Sequence, residues 1–518
     1  LGTDKQGIFT LFVDRDNDIW MYSPLGIWVY NPEQEKWLSW LTNIIKRRSH
    51  NMVRAVSQDK QGRIWIGTDQ DGIDILDKKT GEVRQLRNKA GDERSLQNNT
   101  VMVLYEDSSE TMWVGTYKKG ISYFNECAFK FGAEYIGDIS CIEEDKEGYV
   151  WLGTNDVGII YWNSVTGNRA AFPQKGMDKL TTDAIVCILK ASDGKLWIGT
   201  FGGGLICYDN GRIIHYKKNI SERQNSLAHN NVLALAEDKQ GIIWIGTLGG
   251  GVQSLNPKTG LFTTYNTTSA GLISDYVSSL CMGKEGSLWI GTAQGLSELD
   301  IETKKVVNLE GTKSGKEYFS DQNISQVYED SRGLIWIGTC EGLNVYNPKT
   351  DELIILGVEQ GVSSPIISGI VEDGNENIWV TTARGITNVI PAVDLKTGRY
   401  IFHSCVYDDK DGLQNSGFNL RSIKKLSSGE ILMGGLYGIN RFRPDDIKYN
   451  KKRPSVMFTR LFLFNEEVGV GEEYEGRVIL DKVLNKVDQI KLSYEQNMFS
   501  VQFASDNYIL PEKTEYAY

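Results

Sequence analysis

The chain has 518 residues, enough for two or three domains, and its 40% hydrophobic and 24% charged residues are the balance of a soluble globular protein. A net charge of −11 argues against a general nucleic-acid surface, which needs clustered Lys and Arg to displace counterions. No apolar run approaches the length of a membrane span and none reads as a signal peptide, although either could belong to a longer parent.

In chain order, one unit recurs. Nine tryptophans stand on one register: Trp20, Trp65, Trp113, Trp151, Trp197, Trp244, Trp289, Trp336 and Trp379. Clear copies of the unit are AVSQDKQGRIWIGTDQDGI (55–73), LALAEDKQGIIWIGTLGGGV (233–252) and QVYEDSRGLIWIGTCEGL (326–343). A tenth, SSGEILMGGLYGINRF (427–442), has Leu432 at the Trp position. The apolar stretch before the acidic pair predicts a short buried strand. The Asp-x-x-Gly segment predicts a hairpin turn, since Asp bonds its own downstream backbone and Gly takes positive φ. In I-W-I-G-T the alternation points Ile one way and Trp the other, so this strand is buried on both faces. A third strand (343–346) and a fourth (261–265) complete a four-stranded unit of about 45 residues, the size of a propeller blade. One blade cannot cover both its faces, so blades must stack in a ring. The Trp row could be a sugar-stacking ladder, but its strict recurrence makes it core between blades.

Trp-to-Trp spacings run from 43 to 48, except 38 between Trp113 and Trp151, where the irregular ECAFKFGAEYIGD (126–138) intervenes. That stretch is the expected junction between two rings. The expected fold is therefore all-β: a partial first propeller of about three blades (1–126), a seven-bladed second propeller (127–445), and the start of a β-sandwich (446–518). The opening Leu1-Gly2-Thr3 looks like the tail of an interrupted W-L-G-T, so earlier blades are expected to be missing. Alternating segments at 456–464 and 490–503 read as sandwich strands cut off at Tyr518.

Little in the chain demands catalysis. Four histidines, His50, His215, His229 and His403, lie far apart and outside metal-binding spacings. The seven cysteines form no CxxC pair, and Cys141 and Cys187 share a repeat position with Ala55, Val103, Ala234 and Ser279, the pattern of small buried residues. The runs Gly202-Gly203-Gly204 and Gly249-Gly250-Gly251 fall where other units have Gly120 and Gly158, so they are blade turns rather than phosphate cradles. The repeat carboxylates Asp59, Asp107, Asp145, Asp238, Asp330 and Asp373 all serve one turn. No catalytic residue, metal ligand or cofactor is expected.

The repeats D-x-x-G-x-I-W-I-G-T-x-x-G-L resemble the regulator-propeller repeats of hybrid two-component sensors of gut Bacteroidetes. The segment LSYEQNMFSVQFASDNYILPEKTEYAY (492–518) is similar to the start of the Tyr-rich immunoglobulin-like domain that follows the propellers there. The last-blade wording, SGFNL (416–420) and GEILMGGLYGINRFRP (429–444), is also similar. The resemblance implies a periplasmic, non-catalytic sensor region of an inner-membrane protein. In that family a membrane helix, histidine kinase, receiver and DNA-binding regulator follow. It also implies an oligosaccharide ligand, control of polysaccharide-utilisation genes, no nucleic-acid contact in this segment, and a homodimer.

Loops joining the second to the third strand, and the fourth to the next blade, share one propeller face, and irregular residues there are the binding candidates. The first class supplies Tyr117, Lys118, Lys119, Asn155, Asp156, Phe201, Arg384 and Tyr437. The second supplies GDERSLQNN (91–99), SERQNSLAHNN (221–231) and DDKDGLQNSGFN (408–419). Aromatic faces with Arg, Asn and Asp suit sugars. A propeller lyase or glycoside hydrolase, and a protein-interaction scaffold, are the competing readings, because fold alone does not choose among them.

Overall fold

The computed structural model describes residues 9–23, 26–48, 52–90, 95–128, 130–164, 166–173, 180, 182, 184–219, 221, 225–414, 417–449, 454–507 and 511–514. The opening Leu1-Gly2-Thr3, His50, and parts of the three long inserts and of the two family-like segments (residues 91–94, 222–224, 415–416, 508–510 and 515–518) lie outside these. The chain divides into two compact units, residues 129–447 in one, and 1–128 with 448–518 in the other. Among the described residues no helix is long and apolar enough to cross a membrane.

The 129–447 unit holds seven four-stranded antiparallel sheets. Their first strands number the blades one to seven: Ile139–Glu144, Ile185–Lys190, Val232–Glu237, Val277–Met282, Ile324–Glu329, Ile367–Glu372 and Phe418–Lys425. Each first strand packs on the next, and that of blade seven packs on that of blade one, so the sheets close into a ring. Blade seven takes its outermost strand from far upstream: Gly132–Tyr135 pairs with Gly438–Arg441. The irregular 126–138 stretch thus contains a strand, unmarked because it lacks the blade motif and its partner lies about 300 residues away.

The E-D pair has two separate duties. Asp238 Oδ1 accepts the backbone N–H of Gln240 and Ile242, and its Oδ2 accepts the Trp244 indole N–H at 2.9 Å. The same Asp–Trp bond, six residues apart, recurs at Trp20, Trp65, Trp113, Trp151, Trp336 and Trp379. The preceding Glu works between blades instead. Glu237 accepts from Ser192 N and Oγ of blade two, and Glu372 likewise from Ser331 of blade five. Glu144 of blade one accepts from Ser427 of blade seven at 2.6 and 2.8 Å, stapling the closure. Carboxylates in charge-assisted bonds to backbone N–H are the stronger kind of hydrogen bond.

The Gly of I-W-I-G-T has a packing reason. A Cβ on Gly199 would lie 2.8 Å from Val232 Cγ1 of the next blade, and one on Gly434 would lie 2.9 Å from Ile139 Cγ2. Blade six has Thr381 at this position, and the space comes from Gly369, its partner on the first strand. The tryptophans are core, with Trp197, Trp244, Trp336 and Trp379 at most 1% exposed.

In the other unit, two four-stranded sheets and a three-stranded one precede residue 128. A helix, Ser39–Arg48, follows the first sheet and buries Leu41 and Ile45, four residues apart, in the core of that sheet. The repeat pattern does not foresee it. Farther on, Val456–Leu463 pairs with Phe499–Ser505, and Leu461, Leu463, Val468, Leu480 and Leu484 form a small core.

Candidate functional site

One face of the seven-bladed ring is built the same way in nearly every blade. The Thr ending the second strand donates its hydroxyl to a glycine carbonyl across the loop, as in Thr154 to Gly158, Thr200 to Gly204, Thr247 to Gly251 and Thr382 to Gly385. The next residue's N–H bonds a carbonyl just before the same blade's first strand: Asn155 to Asp138, Phe201 to Ala184, Leu248 to Asn231, Ala293 to Tyr276 and Ala383 to Ile366. The loop backbones are thereby fixed, and their side chains are left to solvent on a rigid frame.

On this face the structure places Arg384 on blade six, Tyr437 on blade seven, Asn155 and Asp156 on blade one and Phe201 on blade two, all exposed. Because blade seven adjoins blade one, these five occupy one continuous arc. Blades three to five carry Leu248-Gly249-Gly250, Ala293-Gln294 and Cys340-Glu341 at the same positions. Tyr117, Lys118 and Lys119 are not in this arc. They stand exposed on the third sheet of the other unit, where Lys118, at φ +57°, holds its ammonium 5.0 Å from the Tyr117 ring.

Sequence reasoning passed over several neighbours. Val157 and Leu436, beside the predicted residues, and Tyr276 and Ile366, from the fourth-to-first-strand loops, are exposed apolar side chains on the same face. Asp138 bridges Asn155 Nδ2 at 2.9 Å and Asn419 Nδ2 at 2.6 Å. That links the rim to the first strand of blade seven, which carries Arg421 in the channel. Rims of this kind offer apolar faces for sugar C–H groups and fixed amide and carboxylate partners for hydroxyls.

Other chemistry-bearing groups are spoken for. His215 and His403 lie on outer strands, and His229 Nδ1 accepts the Asn231 N–H. Burial pushes the Cys187 thiol up to about 12 and the Cys141 thiol higher still. In the other unit Asp14, Asp16 and Asp18 form a three-carboxylate cluster, but the Lys78 ammonium sits within it at 2.6, 2.7 and 2.8 Å. Lys78 thus takes the place a cation would, and holds the Asp16 carboxyl below its usual range. A pocket of about 210 Å³ over Trp65, Met112 and Phe124 is crossed by ion pairs from Glu126 to Arg63 and Lys448.

Seven segments, 48–70, 95–118, 136–156, 179–202, 226–249, 271–294 and 318–341, match the two component regulator propeller family model. The chain carries two-component regulator propeller repeats. Over 337 residues this regulator propeller is 26% identical to histidine kinase P4 of Formosa agariphila, covering 64% of the chain and 24% of that protein. Its fold is similar to the extracellular domain of a hybrid two component system from B. thetaiotaomicron: TM-score 0.74, 24% identity, 97% of this chain and 64% of that one. A one component system's extracellular domain from the same organism gives 0.51 at 20% identity, over 98% and 68%. The regulator propeller in hand therefore spans about a quarter of the curated relative and under two thirds of the first of these structures. Asn155, Asp156 and Phe201 of the arc fall within the matched repeats, and Arg384 and Tyr437 lie beyond the last of them.

Proposed function

We propose that this chain is the ligand-sensing, non-catalytic segment of a hybrid two-component sensor, lying in the periplasm outside the inner membrane. In this reading its seven-bladed unit binds glycan-derived oligosaccharides. The observation that carries it is the arc from Arg384 through Tyr437, Asn155 and Asp156 to Phe201, aromatic and polar side chains on one face of a rigid ring. Kinship with histidine kinase P4 supports the sensor class. Ligand binding biases one arrangement of a dimer whose kinase and regulator lie in the rest of the protein, and the output is transcription of polysaccharide-utilisation genes. Dimerisation, the membrane anchor and the gene targets rest on the family likeness.

Calorimetry of the chain against a panel of neutral and acidic oligosaccharides tests this, with product analysis of the same mixtures. Saturable binding without turnover, weakened by Phe201→Ala and Tyr437→Ala at unchanged melting temperature, is the expected result. Turnover would replace the sensor with a lyase or hydrolase, and a folded chain that binds nothing on the panel would overturn the reading.

A further inference from the structure

The channel side of blade seven departs from the other six blades. In blades one to six the first strand carries a one-residue bulge near its start, as where Ile139 faces Thr154 and Cys141 faces Gly153. In blade seven Phe418 faces Gly435 and the next partners are Ile423 and Met433. Five steps on one strand match two on the other, so this bulge holds two residues more than the common one. The extra length is anchored, not slack. Asn419 Nδ2 bonds Asp138 Oδ1 and the Ile139 carbonyl, and Ser422 Oγ bonds the Ile139 carbonyl at 2.9 Å. Arg421, at the apex, has a φ of +60°, in the left-handed region that a non-glycine residue enters only when its surroundings hold it there.

The strained residue carries the long cation. Arg421 Nη1 donates to the Ser325 carbonyl of blade five at 3.3 Å, passing over blade six. Its charge also acts on the thiols of Cys187 in blade two and Cys141 in blade one. A side chain rooted in blade seven that bonds blade five lies on the channel side of the ring. Among the described residues no carboxylate pairs with it. The glutamates of the first strands, Glu143, Glu144, Glu237, Glu329 and Glu372, sit at the far end of those strands, bonded to the turns and lysines of adjacent blades. Seryl hydroxyls on the first strands are committed too: Ser140 to Ile185, Ser278 to Ile324 and Ser325 to Ile367 carbonyls. A guanidinium has five N–H donors, and desolvating it without an anion is costly.

We propose that this channel is an oxyanion site, in which Arg421 takes the carboxylate or sulfate of an acidic saccharide entering from the arc. This deepens the sensor reading and rests on it for the saccharide. Arg421 supplies a planar fork matched to an oxyanion, while Phe201, Tyr437 and Asn155 at the rim hold the sugar rings. The Asp138 link between Asn155 and Asn419 couples rim and bulge, so a ligand touching both meets one connected frame.

The test is calorimetry of the chain with trigalacturonate, an unsaturated chondroitin sulfate disaccharide, a neutral galactotriose and sodium sulfate. At least one acidic saccharide is expected to bind, with Arg421→Gln lowering its affinity about tenfold or more and Arg421→Lys less, as for loss of a bidentate charge-assisted contact. Galactotriose is expected to be indifferent to both substitutions. Melting curves of each variant are read alongside. If Arg421→Gln fails to fold, Leu420→Gly, which loosens the bulge while keeping the charge, serves in its place, with the same expected fall in affinity. Sulfate binding as tightly as the saccharides would mean a free-anion site and overturn the saccharide assignment. Acidic saccharides bound with unchanged affinity by Arg421→Gln, or a fall in melting temperature alone, would make Arg421 a structural plug. Binding of galactotriose, lost in Phe201→Ala, with neither acidic saccharide bound would sink this proposal and leave the sensor reading standing. No binding of any probe by the folded chain would sink both.

Discussion

The Asp–Trp pair ties a turn to a core residue through one carboxylate, and the two blades that keep the Trp without the Asp show its worth. Blade two has Ala191 in place of Asp, and the buried Trp197 indole N–H has no acceptor. Blade four has Gly283, and there the Trp289 indole turns to Glu329. Leaving a buried donor unpaired costs about 1–3 kcal/mol. Ala191→Asp is therefore expected to raise stability by about 1 kcal/mol, and Asp238→Ala, which strands the Trp244 indole and two backbone N–H groups, to lower it by about 3 kcal/mol. Urea melts of the two variants check both signs. Thiol chemistry gives a second residue-scale outcome. Burial pushes Cys187 up to about 12 and Cys141 further, so both stay protonated at pH 8, where only the thiolate reacts. Cys340 is also raised but is exposed. Brief alkylation of the folded chain with iodoacetamide at pH 8, read by mass spectrometry, should label Cys340 and leave Cys141 and Cys187 unmodified. Lys78 offers a third. Lys78→Met leaves Asp14, Asp16 and Asp18 facing one another and should cost about 3 kcal/mol, the scale for breaking a buried pair. Millimolar calcium should restore part of the loss in a thermal melt, because three carboxylate oxygens are a hard-cation ligand set.

At the scale of the element, the second strand is where neighbouring blades meet, and its glycine sets their spacing. A methyl at Gly199 would press on Cys187 within its own blade and on Val232 of the next. Gly199→Ala is therefore expected to cost about 1–3 kcal/mol, as overpacking does in well-filled interiors. The denaturation midpoint measures it. A wholly exposed second strand would show no such loss. Blade six illustrates the constraint from the other side. Thr381 is tolerated only because Gly369 stands opposite it, so the pair as a unit, rather than either position, keeps the gap open. The helix Ser39–Arg48 belongs at this scale as well. Leu41 and Ile45 lie on one face and complete the core of the first sheet, yet a ten-residue helix among forty-odd short strands leaves a weak signal in a sequence dominated by the period-two pattern.

For the whole ring, closure is the decisive event. Strand Gly132–Tyr135 completes blade seven, and Lys130 pairs with the buried Asp411 at 2.7 Å beside it. Deleting residues 130–136 would leave the edge Gly438–Phe442 unpaired and Asp411 without its cation. The expected outcome is a lower urea midpoint and concentration-dependent association through the open edge, seen by light scattering. Stability unchanged by the deletion would mean that blade seven does not need its outer strand.

Much of this protein was legible in the sequence because its information is local. The Asp-x-x-Gly turn, the doubly buried I-W-I strand and the 45-residue period each depend on neighbours a few residues apart, and they are enough to specify a blade and to mark the tryptophans as core. The same periodicity pointed to the loop face, since residues that break a uniform repeat stand out. Only the tertiary structure decided what depends on distant partners. It supplied the closing strand at 132–135, the Glu staples between blades, and the adjacency that makes Arg384, Tyr437, Asn155, Asp156 and Phe201 one arc. It also set Arg421 in the channel. The reason is physical: a repeat encodes the unit and its local bonds, whereas the order in which a ring closes, and which side chains meet across its centre, exist only once all seven blades have stacked.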